Sequence, residues 1–344
     1  MTIFDLVTAP ELTAYWETLN QDRAPYLGET LFPNQKKLGL DLKWLKGSKG
    51  LPVVLKLSAF DAQAVPRTRI GFEKISAEMP FFKESMYVDE ELRQELNKVL
   101  ESGNQAYIDS VINRVFDDEG TLIDAAAVAR ERMRMMLLTT GTIVMASNGQ
   151  TYTYDYGLNS AQKPTVGTSW STVTADIVGD IRTWQDERED ATGVRPTRAI
   201  CSRKTFGYIL KNTDIRNAVW GNSASAPINE AKAKQYLMDE LDLEVVVYTK
   251  RYKDESGATQ KFVPDDTFVL FPAGNLGSTW FGTTPEESDL MASASVDNVS
   301  IVDTGVAVTT MRRADPVNVE TKVTQIALPS FEAADQIVIA DVIA

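Results

Sequence analysis

The sequence predicts an α+β protein, and three observations carry that prediction. Leu38, Leu40, Leu42 and Trp44 alternate with Gly39, Asp41 and Lys43, and Val53, Leu55, Leu57 and Ala59 alternate likewise beyond the turn "KGSKG"; a period of two marks strands with one buried face. From Glu90 to about Thr140 the apolar residues follow a helical period instead. Both patterns then mix without strict βαβα order, so no doubly wound parallel sheet is implied.

The elements follow in order. Thr8 with Glu11 three residues later forms a capping box that starts a helix reaching about Asn20. "QDRAPYLGETLFPNQ" has prolines and no period, and is expected to be an extended arm. After the two alternating strands comes "AVPRTRIGFEKISAEMPFFKES", Ala64 to Ser85. Here Ile70 and Phe72 fall out of phase with Ile75, Ala77 and Met79, so the strand bends near Glu73. Pro66 and Pro80 exclude a central strand. The stretch is a bent arm or edge strand, with "MPFF" as its anchor to the body.

"DEELRQELNKVLES" and "NQAYIDSVINRVF" are two expected helices, and "DDEGTLIDAAAVARERMRMMLLTTG" a third, with Gly141 as C-cap. Met133, Met135 and Met136 read as buried packing. Asn148-Gly149 predicts a hairpin. "WSTVTADIVGDIRTWQDEREDATG" is a long helix capped by Gly193, "RPTRAICS" a buried strand, and "KTFGYILKN" and "INEAKAKQYLMDEL" helices. Three strands are expected from Leu243 to Pro272, and further strands after Asn298.

Charge is segregated. The chain of 344 residues carries a net −13, from 35 Lys+Arg against 48 Asp+Glu. Between Asn34 and Lys83, ten basic residues face four acidic, a local +6 that leaves −19 for the remainder. A basic segment on an acidic body suits contact with the acidic surface of an identical neighbour; a nucleic-acid arm and a solvated loop are the alternatives. The length suggests about two domains. "MTIFDLVTAPEL" lacks the pattern of a signal peptide and no stretch is apolar enough to span a bilayer, so a soluble, cytosolically made protein is expected.

Motifs for chemistry are missing. There is no histidine, which excludes histidine-based triads and zinc sites, and Cys201 alone cannot form an internal disulfide. No Walker loop, G-x-G-x-x-G, G-x-S-x-G or EF-hand loop occurs. The acidic clusters Asp117-Asp118-Glu119, Asp186-Glu187 with Glu189-Asp190, and Asp265-Asp266 read as helix caps and solvated faces rather than metal sites. Cys201 reads as a core residue. No catalytic residue, cofactor or metal ligand is assigned.

Five collinear stretches spread over essentially the whole chain carry a resemblance: "APYLGETLFPNQKK", "RTRIGFEKISAEMPFFKES", "ARERMRMMLLTTG" with "YTYDYG", "TFVLFPAGNLGSTWFGTTPEE" and "DPVNVETKVTQIALPSF". The chain resembles the major capsid proteins of tailed bacteriophages, in the family of lambda's capsid protein E. The resemblance implies an α+β HK97-like capsid fold. Its parts would be an N-terminal arm (1–37), an extended β-hairpin E-loop (38–80), a P-domain (81–164) with a long spine helix from about Thr121 to Thr140, an A-domain (165–287), and P-domain return strands (288–344). It implies hexamers and pentamers in an icosahedral or prolate head shell around double-stranded DNA, without sequence-specific binding. Scaffolding, portal and decoration proteins would be partners, and the virion the location.

On this reading Lys43, Trp44, Lys46, Lys49, Arg67, Arg69, Phe72, Phe81 and Phe82 are the expected intersubunit contacts. Some related shells cross-link a lysine to an asparagine, which would fall to Lys46 or Lys49, but lambda-like shells do not and none is expected. An acidic body suits a lining that does not grip the genome. A tail or sheath component, or a carboxylate-metal enzyme, are the alternatives.

Overall fold

The computed structural model describes residues 7–20, 24–46, 73–88, 90–102, 105–147, 149–221, 226–292, 298–314 and 317–343. The first elements are α1 (Ala9–Asn20), α2 (Leu27–Leu31), β1 (Asn34–Lys36), β2 (Asp41–Lys46), β3 (Glu73–Glu78) and β4 (Phe81–Tyr87). Next come α3 (Glu90–Ser102), α4 (Gln105–Thr140), β5 (Thr142–Ser147) and β6 (Gln150–Asp155). Then follow α5 (Ile177–Thr192), β7 (Arg198–Cys201), α6 (Arg203–Lys211), α7 (Thr213–Trp220), α8 (Glu230–Leu241), β8 (Glu244–Val247), β9 (Arg251–Lys253), β10 (Thr259–Lys261) and β11 (Thr267–Phe271). The last are β12 (Thr279–Phe281), α9 (Pro285–Ala292), β13 (Val299–Val302), β14 (Val306–Ala314), β15 (Val317–Pro329) and β16 (Val338–Asp341).

Two compact units divide the chain: residues 1–42, 76–133 and 278–330 form the first, and 43–75, 134–277 and 331–344 the second. The first is organised on a sheet of order β1-β12-β15-β14-β13, in which β4 also pairs with β15. The thirteen-residue β15 pairs with β14 along one edge, and with β4 and then β12 along the other. Helix α4 packs on this sheet through a buried arginine. Arg130 donates to Gln325 Oε1 at 2.9 Å and to Asp303 Oδ2 at 2.7 Å, and Gln325 Nε2 donates to the Ala126 carbonyl at 3.0 Å. A buried guanidinium is tolerable only with such partners.

The second unit holds the sheet β16-β11-β7-β8, with β7 and β8 parallel and the other pairs antiparallel. Its core gathers Trp170, Trp184, Phe206, Leu237, Phe268 and Val338 among others. Trp170 stacks on Trp184 at 5.9 Å and tilts against Phe268 at 5.2 Å, and its indole N–H donates to Asp180. Helix α5 begins where Asp176 accepts from the Gly179 N–H and ends at Gly193, whose φ of 75° no other residue adopts as readily. The return strands expected after Ser288 therefore divide: β13 to β15 build the first unit's sheet, whereas β16 pairs with β11 in the second.

Several expectations need correction. The stretch taken as extended, from Gln21 to Gln35, contains α2, held where the Gly28 N–H donates to Glu131. Leu38 and Leu40 stand outside the strand in a bend around Gly39 and are 73% and 46% exposed, so the alternation becomes a strand only from Asp41. The helices expected from Asn104 and Asp117 are a single 36-residue helix, α4, running through Gly120. A mid-helix glycine costs about 1 kcal/mol. Tyr15 and Trp16 of α1, donating to Asp117 and Asp124 on either side, brace the helix where that cost falls. Helix α5 begins only at Ile177, α7 and α9 are additional, and four strands rather than three lie between Leu243 and Pro272.

Candidate assembly surface

The arm's root is built with close tolerances. The Met79 N–H donates to the Leu40 carbonyl at 3.0 Å, joining the two ends where β2 and β3 form their own two-stranded sheet. Gly282 lies beneath: a Cβ there would come within 2.7 Å of Ile326 Cγ2 and 2.9 Å of both the Gly39 oxygen and Met79 Cε. Only glycine fits this crossing without displacing the root. Lys36, on β1, ties the same region by donating to the Gly282 carbonyl at 2.9 Å and to Glu287 at 2.5 Å.

Strand β4 leaves the root and pairs with β15, with Phe81 opposite Ile326 and Tyr87 opposite Glu320. Its residues are almost all exposed, including Phe81 at 45% and Tyr87 at 54%. Of the "MPFF" anchor, Met79 and Pro80 are buried in the chain, Phe82 is half-buried, and Phe81 faces outward. Lys43, Trp44 and Lys46 lie on β2. Lys49, Arg67, Arg69 and Phe72, and the expected bend as far as Phe72, lie outside the described residues.

The acidic clusters differ from one another. Asp186 and Glu189 pair with Arg195, and Asp265 and Asp266 with Lys261 and Lys204, as charged faces and turns do. Asp117 accepts from the Tyr15 hydroxyl. Glu119 corrects the expectation of a solvated cap: it is 2% exposed, and neither carboxylate oxygen has a well-aligned hydrogen bond. Burial pushes its carboxyl up to about 7; the Thr321 hydroxyl opposes the shift and Asp118 adds to it. Its helical period was readable, but the surrounding acidic residues concealed a core position.

Cys201 is buried, and that burial pushes its thiol up to about 12, so it is no nucleophile at neutral pH. Among the described residues no group of three or more Cys, Asp or Glu side chains is placed to hold a metal, and no helix is long and apolar enough to cross a membrane.

Comparison with solved structures identifies relatives of this α+β fold. A protein of an E. coli CFT073 prophage, described there as its capsid protein, matches with a TM-score of 0.61 at 14% identity over 98% of this chain and 99% of its own. A phage-related protein of Bordetella bronchiseptica RB50 matches at 0.57 and 14%, covering 98% and 97%. The capsid subunit of cyanophage A-1(L) matches at 0.52 and 13%, covering 93% and 92%. At such identities these likenesses establish the fold. No curated protein matches significantly. The family model for phage major capsid protein E matches residues 8–342. The chain belongs to that family: it is a structural protein of the virion head and forms a homo-oligomeric shell.

Proposed function

We propose that the shell is built of hexamers and pentamers closing into an icosahedral or prolate head around double-stranded DNA. In each copy, residues 38–80 reach onto a neighbour as the E-loop. Residues 1–37 act as N-terminal arm, 81–164 and 288–330 contribute the P-domain, and 165–287 the A-domain, whose sheet β16 extends. Scaffolding, portal and decoration proteins are the further partners. The observation that carries this reading is β4: it presents Phe81, Met86 and Tyr87 to solvent, and among the described strands its only ladder partner is β15. Exposed apolar edges mark sites of association. Opposite charges on the basic segment and the acidic remainder support the same arrangement.

The test replaces residues 41–78 with a short Gly-Ser linker. The expected product is a soluble chain that still unfolds cooperatively but yields no particles in negative-stain micrographs or by sedimentation. Shells of normal size from the truncated chain would overturn the reading.

A further inference from the structure

Between β4 and α4 lies a cavity of about 250 Å³, within the first unit, and Glu119 lines it. Small-molecule sites generally occupy roughly 300–1,000 Å³, so this cavity suits a single side chain better than a free ligand. Its walls combine Met86, Tyr87 and Val115, and its acidic groups are Glu119, buried, and Asp118, exposed. Neither Glu119 oxygen nor the Thr321 hydroxyl has a well-aligned hydrogen bond, although the hydroxyl lies close enough to favour the charged carboxylate, and a buried carboxylate so weakly compensated is costly to hold. Two arginines near β4 are engaged elsewhere: Arg313, over the Tyr87 ring at 5.7 Å, is held by Glu320 at 2.8 Å, and Arg93 donates to the Val317 carbonyl.

The geometry points to this cavity as the receptor for an arginine, Arg67 or Arg69, from the basic segment of a second copy. A guanidinium offers two parallel N–H groups to one carboxylate, which satisfies both oxygens together. The apolar stem would lie along Met86 and Val115, and the Tyr87 ring offers a face to the cation. Complementary charge favours the same occupant, since the segment from Asn34 to Lys83 is net positive and the remainder strongly acidic. This inference rests on the proposed reach of residues 38–80 onto a neighbour.

Two measurements on the full chain test it. Glu119→Gln keeps the shape and removes the charge; it is expected to raise the threshold concentration for assembly about tenfold while the melting temperature of the dissociated subunit stays level or rises. An unchanged threshold overturns the proposal, as does a threshold change matched by a fall in melting temperature. If chelating agents reproduce the Glu119→Gln effect in the unaltered chain, the cavity takes a metal ion and the proposal falls. Independently, Glu119→Cys is combined with Arg67→Cys or Arg69→Cys on a Cys201→Ala background, assembled and oxidised with copper phenanthroline. One pairing is expected to give covalent multimers that single-cysteine controls do not. Particles that form but cross-link in neither pairing overturn it. Should these fail while the linker-replaced chain still cannot assemble, the cavity assignment alone is wrong; shells from the linker-replaced chain would instead remove the arm reading.

Discussion

Strands β4 and β11 have similar aromatic content and opposite fates. In β11, "TFVLF", Phe268, Val269 and Leu270 are fully buried between β16 and β7. In β4, "FFKESMY", only Phe82 is half-buried and the remaining side chains are exposed. Apolar residues on β11 stabilise the chain that carries them, whereas those on β4 stay exposed, as the proposed contact with another copy requires. Their places in the sheets differ as well: among the described strands β11 has neighbours on both edges, and β4 pairs only with β15.

Substitutions on the two strands sharpen that contrast. Phe268→Ala removes a buried ring packed on Trp170 and is expected to cost the isolated subunit about 3–5 kcal/mol in chemical denaturation. A destabilisation below about 1 kcal/mol would break the comparison from the buried side. Next in size is the cavity beside β4. A carboxyl whose folded pKa exceeds its unfolded value favours the protonated folded state. Its cost is therefore absent below the unfolded value of 4.5 and complete above about 7. Dissociated subunits are expected to lose on the order of 3 kcal/mol from this group as pH rises through that window. Glu119→Gln should flatten that part of the pH profile, and an unchanged slope would place the titration elsewhere. The smallest effect on the subunit is expected of Phe81→Ala, about 1 kcal/mol or less, accompanied by a clear loss of particle yield. A large loss of subunit stability would show that Phe81 serves its own chain, as Phe268 does.

Much of the fold was legible wherever local chemistry decides it. Thr8 caps its helix by accepting from the Glu11 N–H, although the Glu11 carboxylate accepts from the Thr8 hydroxyl rather than from its backbone N–H as a full capping box requires; Gly193 and Gly141 take positive φ at the helix ends, and the hairpin at Gly149 pairs Thr142 with Asp155. Long-range packing decided the rest. The acidic run from Asp117 resembles the start of a new helix until α1 is seen lying across it, and α2 is stabilised by Glu131, about a hundred residues later in sequence. Of the expected contact residues, Phe81 is exposed on β4, but the same short stretch also contains Met79 and Pro80, which are buried. Glu119 could not be distinguished from its acidic neighbours, because burial depends on β4 and β15, which approach it only in the folded chain.

Strand β15 has a further consequence, in the timing of synthesis. Tyr87 pairs with Glu320 and Phe81 with Ile326, more than two hundred residues apart. At common translation rates, roughly ten seconds or more separate the emergence of β4 from that of its partner. Until residues 317–329 leave the ribosome, β4 has no ladder to join and the close crossing over Gly282 cannot form, since Ile326 is one of its walls. The first unit's sheet is thus completed only when the last third of the chain has been made.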